Sequence, residues 1–205
     1  MGRCRRLDGY TWGVKETFAV IAAILAIVGN IPYIVDIFKG RVQPHAYTWF
    51  VWTLVTTIVF LGQVARGAGI GALPTAAAGM FTLVIFVLSL KNGFKHVTKI
   101  DTLFLVLALA GIVPWVITND PTISVVIAVA IDLTAFVPTL RKTWLKPSTE
   151  SPLLYGSNVL RHILALLSMQ TYNIATTLHS IAMLATNTAM TVMLVSSKSE
   201  KEIDT

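Results

Sequence analysis

Seven apolar runs alternate with polar segments along this chain. About 20 apolar residues carry a helix across the hydrocarbon core of a bilayer. On that rule the pattern predicts spans over residues 17–39, 46–66, 72–90, 101–118, 122–140, 152–170 and 174–196. Of the connections, only 91–100 and 141–151 are long or strongly polar. The tail 196–205 is polar and is expected to fray. The first run, Phe18 to Phe38, is too long for a signal-peptide core, and no small-residue cleavage site follows it. It therefore reads as a retained first span. The expected fold is all-α, one membrane domain over residues 1–205.

Composition agrees with this picture and narrows it. The chain is 55% hydrophobic and 13% charged, where soluble domains run near 25% charged. The net charge of +6 comes largely from Lys and Arg that flank the apolar runs, where orientation signals belong. It is no argument for a nucleic-acid partner. One set of loops and ends holds Lys39, Arg41, Lys91, Lys95, Lys99, Arg141, Lys142, Lys146, Lys198 and Lys201; the other holds Arg3, Arg5, Arg6, Lys15 and Arg66. The larger set marks the cytoplasmic side. A cell-membrane protein with its N-terminus outside and its C-terminus in the cytoplasm is expected. Cys4 is the only cysteine, so no intrachain disulfide forms.

The runs also repeat. In 29–52 and in 135–158 an apolar helix carries a proline, a basic loop follows, and a second helix begins. Trp49 and Trp52 lie 17 and 20 residues after Pro32; Tyr155 and Asn158 lie 17 and 20 after Pro138. The spans then divide into repeat 1 (17–90), a lone helix (101–118) and repeat 2 (122–196). Two odd-numbered helix units joined by a single helix run in the same direction, a parallel repeat about the membrane normal.

This three-plus-one-plus-three pattern resembles the SWEET and PQ-loop superfamily over residues 17–196. Pro32 and Pro138 carry the resemblance, each before a basic loop, with Pro44 and Pro152 at the starts of spans two and six. The chain departs from the family in lacking the Pro-Gln dipeptide, since Tyr33 follows Pro32 and Thr139 follows Pro138. The resemblance implies alternating access, a small solute such as a sugar held between the repeats, and prolines that act as hinges. It also implies substrate-binding positions near Thr75 on span three and His179 on span seven, with Asn187 two turns on. Trp49 and Trp52 sit earlier on span two than the family's tryptophan, and span six has none.

Polar residues inside the runs point to a site without the family. Counted from the predicted span ends, Asn30, Asp132, Arg161 and Asn187 fall 8 or 9 residues from one membrane face, with Trp52 6 residues in. Residues three or four apart share a helix face, so Tyr155, Asn158, Arg161 and His162 form one stripe. A charge at mid-bilayer costs about 2.5–3.5 kcal/mol even on the lenient scale and marks a functional candidate. Asp132 and Arg161 either pair, as a lock or a latch, or stay apart, with Asp132 free to take a proton and Arg161 free to hold an anionic group. Asp36 and Lys142, each four residues after its repeat's proline, are candidates for a gate with Pro32, Pro138 and Tyr155. His162 and His179 read as hydrogen-bonded bundle residues rather than metal ligands, and no cofactor is expected.

The expected function is transport of a small polar solute, with the lipid bilayer as the other partner and homo-oligomerisation left open. The alternative is a seven-helix receptor that binds a ligand without moving it. No His-Glu-x-x-His, Gly-x-Ser-x-Gly or paired-Asp motif suggests an enzyme. Span seven holds no Lys for a retinal Schiff base.

Overall fold

The computed structural model describes residues 4–40, 44, 46–90, 99–145, 147 and 152–203, and among these every regular element is helical. The helices are α1 (Cys4–Val28), α2 (Ile31–Phe38), α3 (Ala46–Ala65), α4 (Leu73–Ser89), α5 (Lys99–Ala110), α6 (Val113–Thr118), α7 (Thr122–Leu145), α8 (Pro152–Ser168) and α9 (Ile174–Ile203). A 3₁₀ turn, Gly69–Ala72, precedes α4. Among the described residues, four stretches are long and apolar enough to cross a membrane: Gly13–Val35, Ala46–Ala65, Gly69–Ser89 and Ile174–Ser197. Leu105–Thr118 and Thr122–Phe136 are shorter apolar helices. These features are those of an integral membrane protein.

Two predicted spans, 17–39 and 101–118, are broken where continuous helices were expected. The first stops at Val28, turns through Gly29 and Asn30, and restarts as α2. The fourth stops at Ala110 and restarts as α6. Pro32 and Pro114 therefore sit in the first turn of a new helix. There the missing N–H would have had no intrahelical partner anyway. Pro138, by contrast, lies inside the unbroken α7. So Pro32 and Pro138, paired by the repeat, do not occupy equivalent helix positions. Two further boundaries differ. Helix α7 runs on to Leu145, five residues into the expected basic loop, and α9 runs through the polar tail to Ile203. Both extensions continue an existing helix, which adds one hydrogen bond per residue without a new nucleus.

The packing order is the same in both halves. Helix α4 packs on both α1 and α3, and α9 packs on both α8 and α7. The halves then meet through α1 against α8 and α3 against α7. Six helices thus close a ring in the order α1, α4, α3, α7, α9, α8, with α3 also touching α9. Helix α5 lies on α3 and α7, and α6 lies on α7.

Small and branched residues set these contacts. Ala23 and Ala26 of α1 meet Ala77 of α4, the close backbone approach that membrane helices use in place of a hydrophobic drive. Val51, Val55, Ile58 and Val59 of α3 pack with Val125, Ala128, Val129 and Ile131 of α7, joined by Ala108 and Ala175. Gly62 is needed there: a Cβ on it would lie 2.5 Å from Val125 Cγ2. Exposed apolar side chains such as Val20, Ile24 and Ile27 of α1 and Leu103 and Val106 of α5 face outward, as lipid contact requires.

Candidate functional site

Three helices of the second half bring a charged cluster together. Asp132 comes from α7, Asn158, Arg161 and His162 from α8, and His179 from α9. His179 Nε2 lies 3.3 Å from Asp132 Oδ2, with the two side chains 9% and 15% exposed. The His162 and His179 rings stand edge to face, centroids 5.9 Å apart. Arg161 Nη2 is 2.7 Å from His162 Nε2, and Arg161 Nε donates to Asn158 Oδ1 at 3.1 Å. The Asn158–Arg161–His162 part is the α8 stripe read from the sequence, held by neighbours three and one residues apart. Of the two arrangements open for Asp132, direct pairing with Arg161 is replaced by contact with His179. Asp132 still lies within electrostatic reach of Arg161.

The other candidates are placed as follows. Asn187 is buried on α9, 5% exposed, and its Nδ2 donates to Met183 O at 2.7 Å. It stands eight residues, about 12 Å of helix, beyond the histidine that Asp132 touches, so the four polar groups do not meet in one contact set. Asn30 occupies the α1–α2 break, its Nδ2 donating to Ala26 O at 2.7 Å. Nearby, Tyr33 tilts on Trp49 with centroids 5.3 Å apart, and Trp49 meets Trp52 edge to face at 5.0 Å. That aromatic group ties α2 to α3. Thr75 is buried in the first turn of α4. Tyr155 is buried with Met190 and Leu194 and meets Phe136 edge to face at 6.4 Å. The side chains of Asp36, Pro138 and Lys142 lie outside the described residues, so the expected gate between Asp36 and Lys142 does too. A cavity of about 380 Å³ at the far ends of α7 and α9, lined by Thr143, Trp144, Val192 and Ser196 among others, holds none of the cluster.

A second constellation, unread in the sequence, latches the halves at the end that carries 66–72. Lys15 Nζ donates to Met169 O at 2.7 Å. Gln170 N donates to Ala68 O at 3.0 Å. Asn173 Nδ2 donates to Arg66 O at 3.0 Å, and Gln63 Nε2 to Thr176 O at 3.1 Å. Arg66 also pairs with Asp120 at 3.7 Å. The glycines at this end are packed against the other half. A Cβ on Gly71 would stand 2.7 Å from Met169 Cα. These partners lie about 50 to 150 residues apart, and no local spacing announces them.

Asp120 makes one part of the latch pH-sensitive. Hydrogen bonds from Thr122, side chain and then backbone (2.9 Å to Thr122 N), and the Arg66 guanidinium hold its carboxyl below the usual range. A depressed carboxyl stabilises above its unfolded value of about 3.9 and loses that contribution as pH falls through the folded value. The melting-temperature difference between the wild type and Asp120→Asn is therefore expected to be flat from about pH 5 to 8 and to close only in stronger acid.

Compared with known protein families, with curated proteins and with solved structures, the chain matches none.

Proposed function

We propose that the chain is a membrane transporter that moves a small polar solute by alternating access between two three-helix units. The units are α1 to α4 and α7 to α9, and α5 with α6 links them. The observation that carries this reading is the ring itself. Both units place their last helix between the other two, and they meet through equivalent pairs, α1 on α8 and α3 on α7. That is the order expected of a parallel repeat with a solute site at its interface near the bilayer midplane. The resemblance to the SWEET and PQ-loop superfamily, read from the prolines and the span pattern, points the same way.

The charged cluster and the latch give the cycle its parts. The cluster puts a carboxylate, two imidazoles and a guanidinium within apolar helices, where such groups mark a substrate or ion path. Every latch contact lies at one end, so this conformation is closed there. With the loop-charge orientation, that end is outside. Opening must break the Lys15, Gln170 and Asn173 hydrogen bonds and the Arg66–Asp120 pair, all at the membrane edge where water can replace them.

The test is counterflow in proteoliposomes with labelled glucose, labelled lactate and labelled alanine. Transport predicts protein-dependent exchange of at least one of them. Binding of a probe without flux would favour a receptor instead.

A further inference from the structure

The cluster contains two groups that the protein orients but leaves incomplete. The first is the Arg161 guanidinium, a permanent cation with five N–H donors. Two of its nitrogens are held, Nε by Asn158 Oδ1 and Nη2 by His162 Nε2. A guanidinium only donates, so His162 Nε2 is the accepting, unprotonated nitrogen. Both partners are then neutral. Among the described residues no carboxylate lies within ion-pair distance of Arg161; Asp132, within electrostatic reach of it, contacts His179 instead. The fork is positioned by neutral groups, and its natural partner, a planar carboxylate that accepts two parallel N–H bonds, is missing.

The second group is His179 Nδ1. The residue is 7% exposed, and this nitrogen is buried without a hydrogen-bond partner. Its other nitrogen faces an Asp132 carboxylate, which only accepts, so Nε2 carries the proton. A ring that carries that single proton leaves Nδ1 an unpaired acceptor, and burying one without a donor is unfavourable. His162 touches both residues, bonded to Arg161 and in ring contact with His179.

We infer that the solute is a small 2-hydroxy carboxylate, whose carboxylate rests on the Arg161 fork and whose hydroxyl donates to His179 Nδ1. A carboxylate supplies the direct ion-pair partner that Arg161 lacks, and the adjacent hydroxyl supplies the donor that His179 lacks. A neutral sugar supplies only the second. Asp132 stays out of direct contact with the anion because His179 stands on it. This inference rests on the transport reading for what the bound solute does next, but not for the binding itself.

The experiment uses one carbon skeleton: lactate, propionate, which lacks the hydroxyl, and lactamide, which lacks the charge, with glucose as a neutral reference. Melting of the purified full chain in detergent and counterflow in proteoliposomes are read for each, in wild type, Arg161→Gln and Arg161→Lys. In the wild type, lactate is expected to act at concentrations about tenfold lower than either propionate or lactamide. Arg161→Gln is expected to erase the preference for lactate over lactamide, and Arg161→Lys to keep part of it. Equal action of lactate and lactamide in the wild type overturns the inference whether or not the variants fold. Glucose exchange with no lactate effect overturns the carboxylate assignment and leaves transport standing. A lactate-specific melting shift that Arg161→Gln abolishes, with no flux of any probe, supports the site and overturns transport. No shift and no flux overturn both.

Discussion

A His179→Leu substitution is expected to destabilise the protein by about 3 kcal/mol, the upper end of the usual cost of leaving a buried polar group without its partner, because the orphaned group is a carboxylate. Leucine fills much the same volume, so little of that loss is cavity. The loss comes from Asp132, whose side chain is 15% exposed and has its contact with His179 Nε2 at 3.3 Å. Without the imidazole the charge stays among apolar helices with no proton donor on it. Replacing both members by apolar residues of similar size is often neutral. Asp132→Leu in the same chain is therefore expected to recover most of the stability, although not the flux. The measurement is a double-mutant cycle on unfolding in mixed detergent micelles. A single His179→Leu variant within about 1 kcal/mol of wild type would mean that the pair contributes no more than an exposed one.

Gly71→Ala is the second large effect. Overpacking costs typically about 1–3 kcal/mol, and this position belongs at the upper end. The added Cβ would stand 2.7 Å from Met169 Cα and 2.9 Å from Met169 N. Backbone atoms cannot rotate away as a side-chain tip can, so the 3₁₀ turn must lift from the end of α8. Lifting it strains the Gln170–Ala68 hydrogen bond, with its partners at 3.0 Å. The variant is expected to melt earlier and to expose the 66–72 end to water-soluble thiol reagents, read at a cysteine placed at Ala68. Gly13→Ala is the control, since nothing lies within 4 Å of a Cβ there. Equal labelling of Gly71→Ala and wild type would place the latch elsewhere.

Helix positions were legible because a bilayer demands long apolar runs, and six of the seven predicted spans start within about four residues of a helix. Helix breaks were less so. A proline inside an apolar run reads the same whether it bends a helix or begins one. Pro32 begins one, while Pro138 lies in a continuous helix. The difference lies upstream, in the Gly29-Asn30 turn, whose backbone bonds close a helix end. The α8 stripe was legible as a period, and Arg161 does touch Asn158 and His162. The partner of Asp132 was not. Its contact is set by how α7 crosses α9, and counting depth along each helix favoured Arg161 over His179. The latch was the least legible part. Lys15 and Met169 meet across the whole fold, and nothing in either neighbourhood encodes the other.

The central claim is that the two units move against each other to carry the solute, and a reversible cross-link between them tests it. A Cβ on Gly62 of α3 would lie 4.0 Å from Val125 Cβ of α7, within the usual disulfide range of about 3.5–4.5 Å. Gly62→Cys with Val125→Cys, in a Cys4→Ser background, joins the units at one point. Counterflow of labelled lactate and labelled glucose is measured before oxidation, after oxidation and after reduction. The account predicts that flux falls to the protein-free background on oxidation and returns on reduction. Undiminished flux through quantitatively cross-linked protein would contradict it.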